Sequence, residues 1–389
     1  MVIGKKMKKH DLNPDPGVQK RIYFDWAASA PYCGFDGQLS FGNPSSLHSE
    51  GRAAKQALEE ARQRCASILD VPPATLYFTS GGTESNSIAL FSNLMRPGKG
   101  RILSSPAEHA SVRECMDTLE KMGKPAGSIE IESAGMVTVK TLEKTLLKYP
   151  DARFASIMAV NNETGAITDI ASLGSLLAAK SVHFHCDLAQ AAGKIPLNIS
   201  GWEIDSASIS AHKISGPRGI GLLYLRKPID VFYTGGGQEN GIRGGTENTQ
   251  GAAALADCLE KCIGDVETHF HNAKKRWKRL MTELCAIKRC TIIPEERTAE
   301  DERFSPYILQ AAFKDIPGEV MARALDDLGF AVSTGSACSS SSPERPVLSA
   351  MGIDENLRIE GIRISQGQST SCEDIDLLLE GISEVLKFL

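Results

Sequence analysis

Apolar side chains recur at helical spacing over residues 49–70, and the run Val71-Pro72-Pro73 ends that pattern. Residues 75–79 form a short run rich in β-forming side chains, followed by Ser80-Gly81-Gly82 and a second helical pattern that ends near Met95. This order predicts a helix, a strand, a glycine turn and the N-terminus of another helix.

Short apolar runs continue through the first two thirds of the chain, with helical or loop segments between most of them. We predict strands at residues 101–105, 154–160, 182–187, 206–211 and 219–226. Such alternation is typical of an α/β fold, in which helices cover both faces of a mostly parallel central sheet.

The pattern changes after Thr246, where two long helical stretches precede a smaller α+β unit. The predicted elements are helices at 252–263 and 266–286, a strand at 307–313, a helix at 320–328, a strand at 330–333 and a helix at 374–389. We place the boundary near Gly264, which gives a large domain of residues 22–264 and a small domain of residues 1–21 and 265–389.

Composition and charge narrow the function classes. The chain has 389 residues with 43 Lys and Arg against 48 Asp and Glu, and a mildly acidic body is not expected of a nucleic-acid-binding protein. Residues 1–21 are basic but lack the pattern of a secretion signal or transit peptide, so we expect a solvated arm near the small domain. No apolar run approaches the ~18 residues of a membrane span, and we expect a cytoplasmic protein.

The ten cysteines of the chain are too few for a disulfide scaffold, and we expect reduced thiols. Cys258 with Cys262 and Cys285 with Cys290 have spacings that could suit a metal, but no second cysteine or histidine pair completes a zinc site. We therefore predict no metal there.

Two features could hold a phosphorylated cofactor. Gly81-Gly82-Thr83 opens a predicted helix, where free backbone N–H groups and a hydroxyl suit a phosphate, although a tight turn with a capping threonine explains the same residues. Lys213 closes an apolar strand and leads into a glycine-rich turn, the setting of a Schiff-base lysine, although a surface lysine at a strand end is the alternative.

A third feature is the predicted strand that carries His183, His185 and Asp187 on one face. These three side chains could bind a divalent metal. Alternatively Asp187 acts alone, because it ends a buried strand where open α/β sheets bind ligands, and it would keep a pyridinium nitrogen protonated while the histidines pack. Taken together with Lys213, the second interpretation is favoured.

Ten sequence blocks, in order along the chain, carry a resemblance to a known family. They are residues 23–31, 41–46, 78–85, 108–109, 161–165, 185–194, 210–221, 235–239 with 243–248, 333–338 and 362–365. The chain resembles the pyridoxal-phosphate (PLP) enzymes of fold type I, and specifically the cysteine desulfurases of the nitrogen-fixation and iron–sulfur-assembly type within the class V aminotransferase-like family.

The resemblance implies roles for the residues that would surround the cofactor ring. Lys213 would bind PLP as a Schiff base and later take the Cα proton of the substrate, and Asp187 would pair with the pyridine nitrogen. Gln190 would hydrogen-bond the phenolate oxygen. His109 would stack on the ring and help to move a proton to or from the substrate thiol.

The resemblance also implies a phosphate site and a substrate site. The phosphate would be bound by Gly82, Thr83, Ser210 and His212, joined by Thr246 from the second subunit of a homodimer. Arg363 would bind the carboxylate of L-cysteine bidentately, with Asn162 beside the cofactor and the substrate.

Cys338 distinguishes a desulfurase from its relatives. It lies in a Gly/Ser-rich segment, residues 334–342, whose composition predicts a mobile loop, although a chance surface thiol is the alternative. As a thiolate it would attack the sulfur of the substrate and leave a protein persulfide and L-alanine. A sulfur-acceptor or scaffold protein would then be a partner.

Other functions remain open from the sequence. A selenocysteine lyase or a small-amino-acid aminotransferase would share the fold, and a non-catalytic scaffold could retain it. A nicotinamide-dependent oxidoreductase is disfavoured, because Gly216, Gly219 and Gly221 precede a strand and do not follow one. The chain also departs from the family in a short segment between Pro31 and Asn43, in a Cys338 loop about one residue short, and in residues 366–370.

Overall fold

The computed structural model describes residues 21–32, 34, 42–96, 100–335 and 345–389. The helices are α1 (Ser49–Leu69), α2 (Gly82–Met95), α3 (Ala110–Lys121), α4 (Val139–Lys148), α5 (Ile170–Ala179), α6 (Thr249–Ile263), α7 (Val266–Ala286), α8 (Gly318–Asp327), α9 (Pro346–Ala350), α10 (Glu355–Glu360) and α11 (Cys372–Phe388). The strands are β1 (Ile22–Tyr23), β2 (Leu76–Thr79), β3 (Arg101–Ser104), β4 (Ala126–Ser128), β5 (Ala152–Ser156), β6 (His183–Asp187), β7 (Ser206–Ser210), β8 (Gly221–Leu225), β9 (Cys290–Ile293), β10 (Ile308–Phe313), β11 (Phe330–Ala331) and β12 (Gly361–Ser365).

The largest sheet has seven strands in the order β2-β8-β7-β6-β5-β3-β4. Every pairing from β7 through β4 is parallel, whereas β8 runs antiparallel to both of its neighbours. The core strands β5, β6 and β7 are buried almost throughout, as expected where helices cover both faces. The predicted α/β fold with a mostly parallel central sheet is confirmed.

One strand of this sheet is displaced from its predicted place. We predicted residues 154–160, but β5 spans Ala152–Ser156. Residues 157–160 are buried and apolar, yet they lie beyond the strand end, where Ile157 and Ala159 donate backbone hydrogen bonds to His185 and Asp187. The apolar run therefore indicates which residues are buried, but it does not give the length of the hydrogen-bonded strand.

The described residues also form two smaller sheets. β12, β10 and β9 form an antiparallel sheet, and β1 pairs in parallel with β11. A second hydrophobic cluster joins Ile22 and Phe24 to residues of α7, α8, β10, β12 and α11, separate from the cluster around the large sheet and α6. We retain as a proposal the division into residues 22–264 and a small domain formed by residues 1–21 and 265–389, of which residues 1–20 lie outside the described residues.

The chain ends approach the large sheet at the carboxyl ends of its parallel strands. The backbone N–H of Ala30 donates to the carbonyl of His212, and Ser365 N–H donates to the carbonyl of Phe24, at 2.8 Å each. These contacts bring the segment after β1 and the strand β12 to the edge where parallel α/β sheets bind ligands. Among the described residues no helix has the length and apolar character needed to span a membrane.

Candidate active site

A cavity of about 470 Å³ lies where β6 and β7 end, beside the N-terminus of α2. Ten residues singled out from the sequence line it: Gly82, Thr83, His109, Asn162, Asp187, Gln190, Ser210, His212, Lys213 and Arg363. They come from distant parts of the chain, so their proximity is a product of the fold. Their individual roles stay predictions.

Two further predicted site residues are not part of this cavity wall. Thr246 lies between β8 and α6, where its carbonyl accepts a long hydrogen bond of 3.5 Å from Arg243, and we predicted that it serves a partner subunit. Cys338 lies outside the residues that the structure describes.

The N-terminus of α2 forms one end of the cavity. Gly81 precedes the helix with φ +149°, a conformation that favours glycine, and no side chain caps the first turn. A Cβ atom on Gly81 or Gly82 would contact Ser210 at 3.7 or 3.5 Å, so the helix terminus faces the end of β7 closely. Uncapped N–H groups beside the hydroxyls of Thr83 and Ser210 fit a phosphate.

Asp187 presents a fixed carboxylate at the middle of the cavity. It is 5% exposed, its Oδ1 accepts from the Ala189 N–H at 2.9 Å, and its Oδ2 accepts from Asn86 Nδ2 at 2.9 Å. A carboxylate oriented in this way fits a protonated ring nitrogen. Sequence reasoning missed Asn86, which lies one helical turn after Thr83 on α2.

Lys213 lies directly after β7, where its Nζ donates to the carbonyls of Ala27 and Ala28 at 2.5 and 2.9 Å. Gln190 donates from Nε2 to the same Ala27 carbonyl at 2.9 Å, and its Oε1 accepts from Lys194. Burial, reinforced by the charges of Lys213 and Arg363, lowers the pKa of Lys194 to about 7. The amine of Lys213 and the amide of Gln190 are thus held at neighbouring points of the wall.

Arg363, on β12, brings a guanidinium to the cavity wall. It is 1% exposed, pairs with Asp25 at 2.8 Å through Nη2, and donates from Nη1 to the Asn162 carbonyl at 2.9 Å. Arg363 Nε and Asn162 Oδ1 are buried without a hydrogen-bond partner among the described residues. The unused donor Nε fits a ligand carboxylate, whereas the amide oxygen of Asn162 fits a ligand group that donates a hydrogen bond.

The two histidines of β6 are hydrogen-bonded to protein groups. Both His183 and His185 contact the Ser206 hydroxyl at 2.9 Å, and His185 also contacts Asn86 Oδ1 at 2.9 Å. Burial lowers the pKa of both, that of His185 to about 4, so they are neutral. No group of three or more metal-binding side chains occurs within the described ranges.

An uncapped helix terminus, a fixed carboxylate, a lysine amine and a buried guanidinium line one cavity, as in the PLP-dependent enzymes of fold type I, the class to which this protein belongs. The sequence model of the family Aminotransferase class-V matches residues 37–378, and the chain belongs to this family.

Individual relatives are similar over nearly the whole chain. The Cysteine desulfurase of Homo sapiens is 33% identical over 392 residues, which cover 97% of this chain and 84% of the relative. The Cysteine desulfurase IscS of Vibrio cholerae is 35% identical over 381 residues, which cover 92% and 91%. A solved NifS-like protein superimposes with a TM-score of 0.86 at 33% identity and covers 95% of this chain and all 100% of its own.

Proposed function

We infer that the protein is a PLP-dependent cysteine desulfurase, which converts L-cysteine to L-alanine and transfers the sulfur to Cys338 as a persulfide. The observation that carries this inference is the single cavity that unites Lys213, Asp187 and Arg363 with an uncapped helix terminus. The similarity to cysteine desulfurases over more than nine tenths of the chain favours this activity over a selenocysteine lyase or an aminotransferase.

The cofactor would be held at three points. The N–H groups at the start of α2, with Thr83 and Ser210, would bind its phosphate, Asp187 would pair with its ring nitrogen, and Lys213 would attach to its aldehyde carbon. Bound PLP supplies an electron sink for the electrons released from the substrate carbon atoms. Because Asp187 is fixed by Asn86 and Ala189, its carboxylate would stabilise the positive charge of the protonated ring nitrogen without having to reorient.

The substrate would be oriented by its carboxylate. Arg363 is positioned by Asp25 and by the Asn162 carbonyl, which leaves Nε as an unused donor toward a ligand. Lys213, which lines the same cavity as Arg363, would take the Cα proton of the bound substrate.

Cys338 is proposed as the sulfur acceptor on the strength of the sequence. Its thiolate would attack the sulfur of the bound substrate, so that an S–S bond forms while the C–S bond breaks and its electron pair stays with the carbon. The persulfide would then pass to an acceptor or scaffold protein for iron–sulfur clusters or other sulfur-containing cofactors.

We also propose a cytoplasmic homodimer in which Thr246 of each subunit would reach the phosphate of the other. Light scattering of the PLP-loaded protein should then give about twice the chain mass. In that dimer Thr246→Ala should weaken PLP binding without dissociating the subunits.

The activity is tested by incubating the PLP-loaded protein with L-cysteine and a thiol while alanine and sulfide are measured. We expect wild type to form both products, Lys213→Ala to form neither, and Cys338→Ala to lose sulfide release. The exposed Cys372 provides the matched control, because Cys372→Ala should retain both products. Undiminished alanine and sulfide from Cys338→Ala would contradict the persulfide step.

A further inference from the structure

Two side chains without an assigned role connect Asp187 to His109. Asn86, on α2, donates from Nδ2 to Asp187 Oδ2 at 2.9 Å and to Ser111 Oγ at 3.0 Å. Ser111, in the first turn of α3, lies with its Oγ 2.8 Å from His109 Nδ1. The chain of hydrogen bonds therefore runs from the group beside the cofactor nitrogen to the histidine in the cavity wall.

The direction of each bond follows from the carboxylate end. An ionised carboxylate only accepts, so the amide nitrogen of Asn86 faces Asp187 and its Oδ1 accepts from His185. An amide nitrogen carries two hydrogens and accepts none, and the second hydrogen goes to Ser111 Oγ. The hydroxyl hydrogen of Ser111 is consequently left for His109.

The backbone gives the same direction independently. The N–H of Ser111 donates to His109 Nδ1 at 3.1 Å, and this contact caps α3. A backbone N–H can only donate. A hydrogen on His109 Nδ1 would therefore face the Ser111 N–H, and neither group could accept from the other. The ring hydrogen of neutral His109 therefore lies on Nε2.

The charges around His109 also favour its neutral form. Burial lowers the pKa of His109, the positive charges of Lys213, Arg113 and Arg363 lower it further, and Asp187 acts in the opposite direction. Protonation of Nδ1 would in addition cost the hydrogen bonds from Ser111.

We propose that Asn86 and Ser111 are positioning residues that hold His109 as the neutral Nε2–H tautomer, so that it donates a hydrogen bond to the substrate sulfur and does not take its proton. This rests on the proposed function and narrows the role of His109 within it. The sulfur then keeps its own hydrogen when the Cys338 thiolate attacks. The S–S bond forms, the C–S pair stays with carbon, and the product is Cys338–S–SH.

The tautomer can be measured without substrate. Holoenzyme labelled with ¹⁵N-histidine would give a two-bond ¹H–¹⁵N spectrum in which the signals of His109 are those missing from His109→Gln. We expect the Nε2–H pattern at neutral and alkaline pH. An Nδ1–H pattern, or an imidazolium at neutral pH, would overturn the proposal.

Variants of the two residues separate hydrogen bonding from proton transfer. Ser111→Ala should raise the pKa of His109 by between a few tenths and about one unit and lower kcat about two- to tenfold with little change in KM, whereas Ser111→Thr keeps the hydroxyl and both values. Identical behaviour of these two variants would contradict the proposal.

A third pair of variants tests the donor itself. The amide of His109→Gln can donate but cannot take up a proton, so it should retain at least about tenfold more kcat than His109→Leu. Equal losses would show that proton transfer is required. If wild type forms no alanine or sulfide, the proposed function fails. The tautomer measurement still tests whether the hydrogen bonds from Asp187 through Asn86 and Ser111 fix the tautomer of His109.

Discussion

Glu108 shows how the charge of a single side chain is set beside the site. Its carboxylate is fully buried, with Oε1 accepting from the Met158 N–H at 2.7 Å and Oε2 lying 3.3 Å from the Ser156 hydroxyl. Burial, and secondly the negative charge of Asp187, raises the pKa of Glu108 to about 8. Glu108 is therefore protonated at neutral pH beside the carboxyl group of Asp187.

This assignment predicts a pH-dependent difference in stability for Glu108→Gln, which keeps the hydrogen-bonding shape. A carboxyl whose pKa rises on folding favours the folded state less as pH increases from about 4.5 to 8, because the unfolded chain ionises first. The free energy of unfolding of Glu108→Gln, relative to that of wild type, should therefore increase as the pH rises through that window. The increase should reach up to a few kcal/mol, at about 1.4 kcal/mol per pKa unit, and the difference should stay constant at higher pH.

The measurement is urea unfolding of the cofactor-free protein at several pH values. Glu114→Gln, on the exposed face of α3, makes the same change in net charge. Its curve of unfolding free energy against pH should run parallel to that of wild type. Parallel curves for Glu108→Gln as well would show that Glu108 is ionised in the folded protein at neutral pH.

At the scale of elements, a buried ion pair joins α1 to the segment that carries Thr246. Arg62 of α1 makes two hydrogen bonds of 2.8 Å to Glu239, and the Glu239 carboxylate also accepts from the Phe78 N–H of β2 at 2.8 Å. Both side chains are nearly inaccessible, at 6% and 1%. The pair therefore positions β2, the strand that leads into the Gly81-Gly82 turn.

Removing one partner should be costly. Glu239→Ala removes the buried carboxylate partner of Arg62 and leaves it only the half-exposed Glu59. The Phe78 N–H also loses its acceptor, so we expect a loss of about 3–5 kcal/mol in the free energy of unfolding. The double variant Arg62→Met with Glu239→Leu should lose less. Glu260→Ala, which breaks an exposed pair with Arg64, should cost under about 1 kcal/mol, and a similar cost for Glu239→Ala would contradict the role of the buried pair.

The elements also show how far the sequence could be interpreted. Lys213 and Asp187 were found because each follows or ends an apolar strand, and Gly82 because it opens a helix. Asn86 and Ser111 were missed, since their partners depend on how α2 and α3 pack and no local pattern marks them. The short strands β4, β9 and β12 escaped prediction because only their partners define them.

At the scale of the whole molecule, one arginine joins the loop beside the cavity to the three-stranded sheet. Arg297 donates to the carbonyls of Thr164, Ile308 and Ser305 at 2.7–3.0 Å. Its guanidinium lies between the rings of Trp277 and Phe304, at 4.6 and 4.5 Å from their centroids. Thr164 is two residues from Asn162, so this contact supports the part of the cavity wall that Asn162 forms.

We therefore expect Arg297→Met to lower the free energy of unfolding by about 2–4 kcal/mol, because three buried carbonyls lose donors, and to raise KM for L-cysteine more than it lowers kcat. Lys278→Met removes an exposed pair with Glu300 and should change stability by less than about 1 kcal/mol. Stability loss with unchanged KM would limit Arg297 to a structural role.

The cavity wall is assembled from both ends of the chain, since Ala27 contacts Lys213 and Asp25 pairs with Arg363. About 150 positions separate Lys213 from Arg363, which a ribosome translates in roughly 8 to 30 s. Throughout that interval a nascent chain has Lys213, the proposed attachment point of the cofactor, but lacks Arg363, the proposed ligand of the substrate carboxylate. A site that binds both cofactor and substrate can consequently form only after β12 has been translated. A ribosome-stalled chain that ends before β12 should not contain this site.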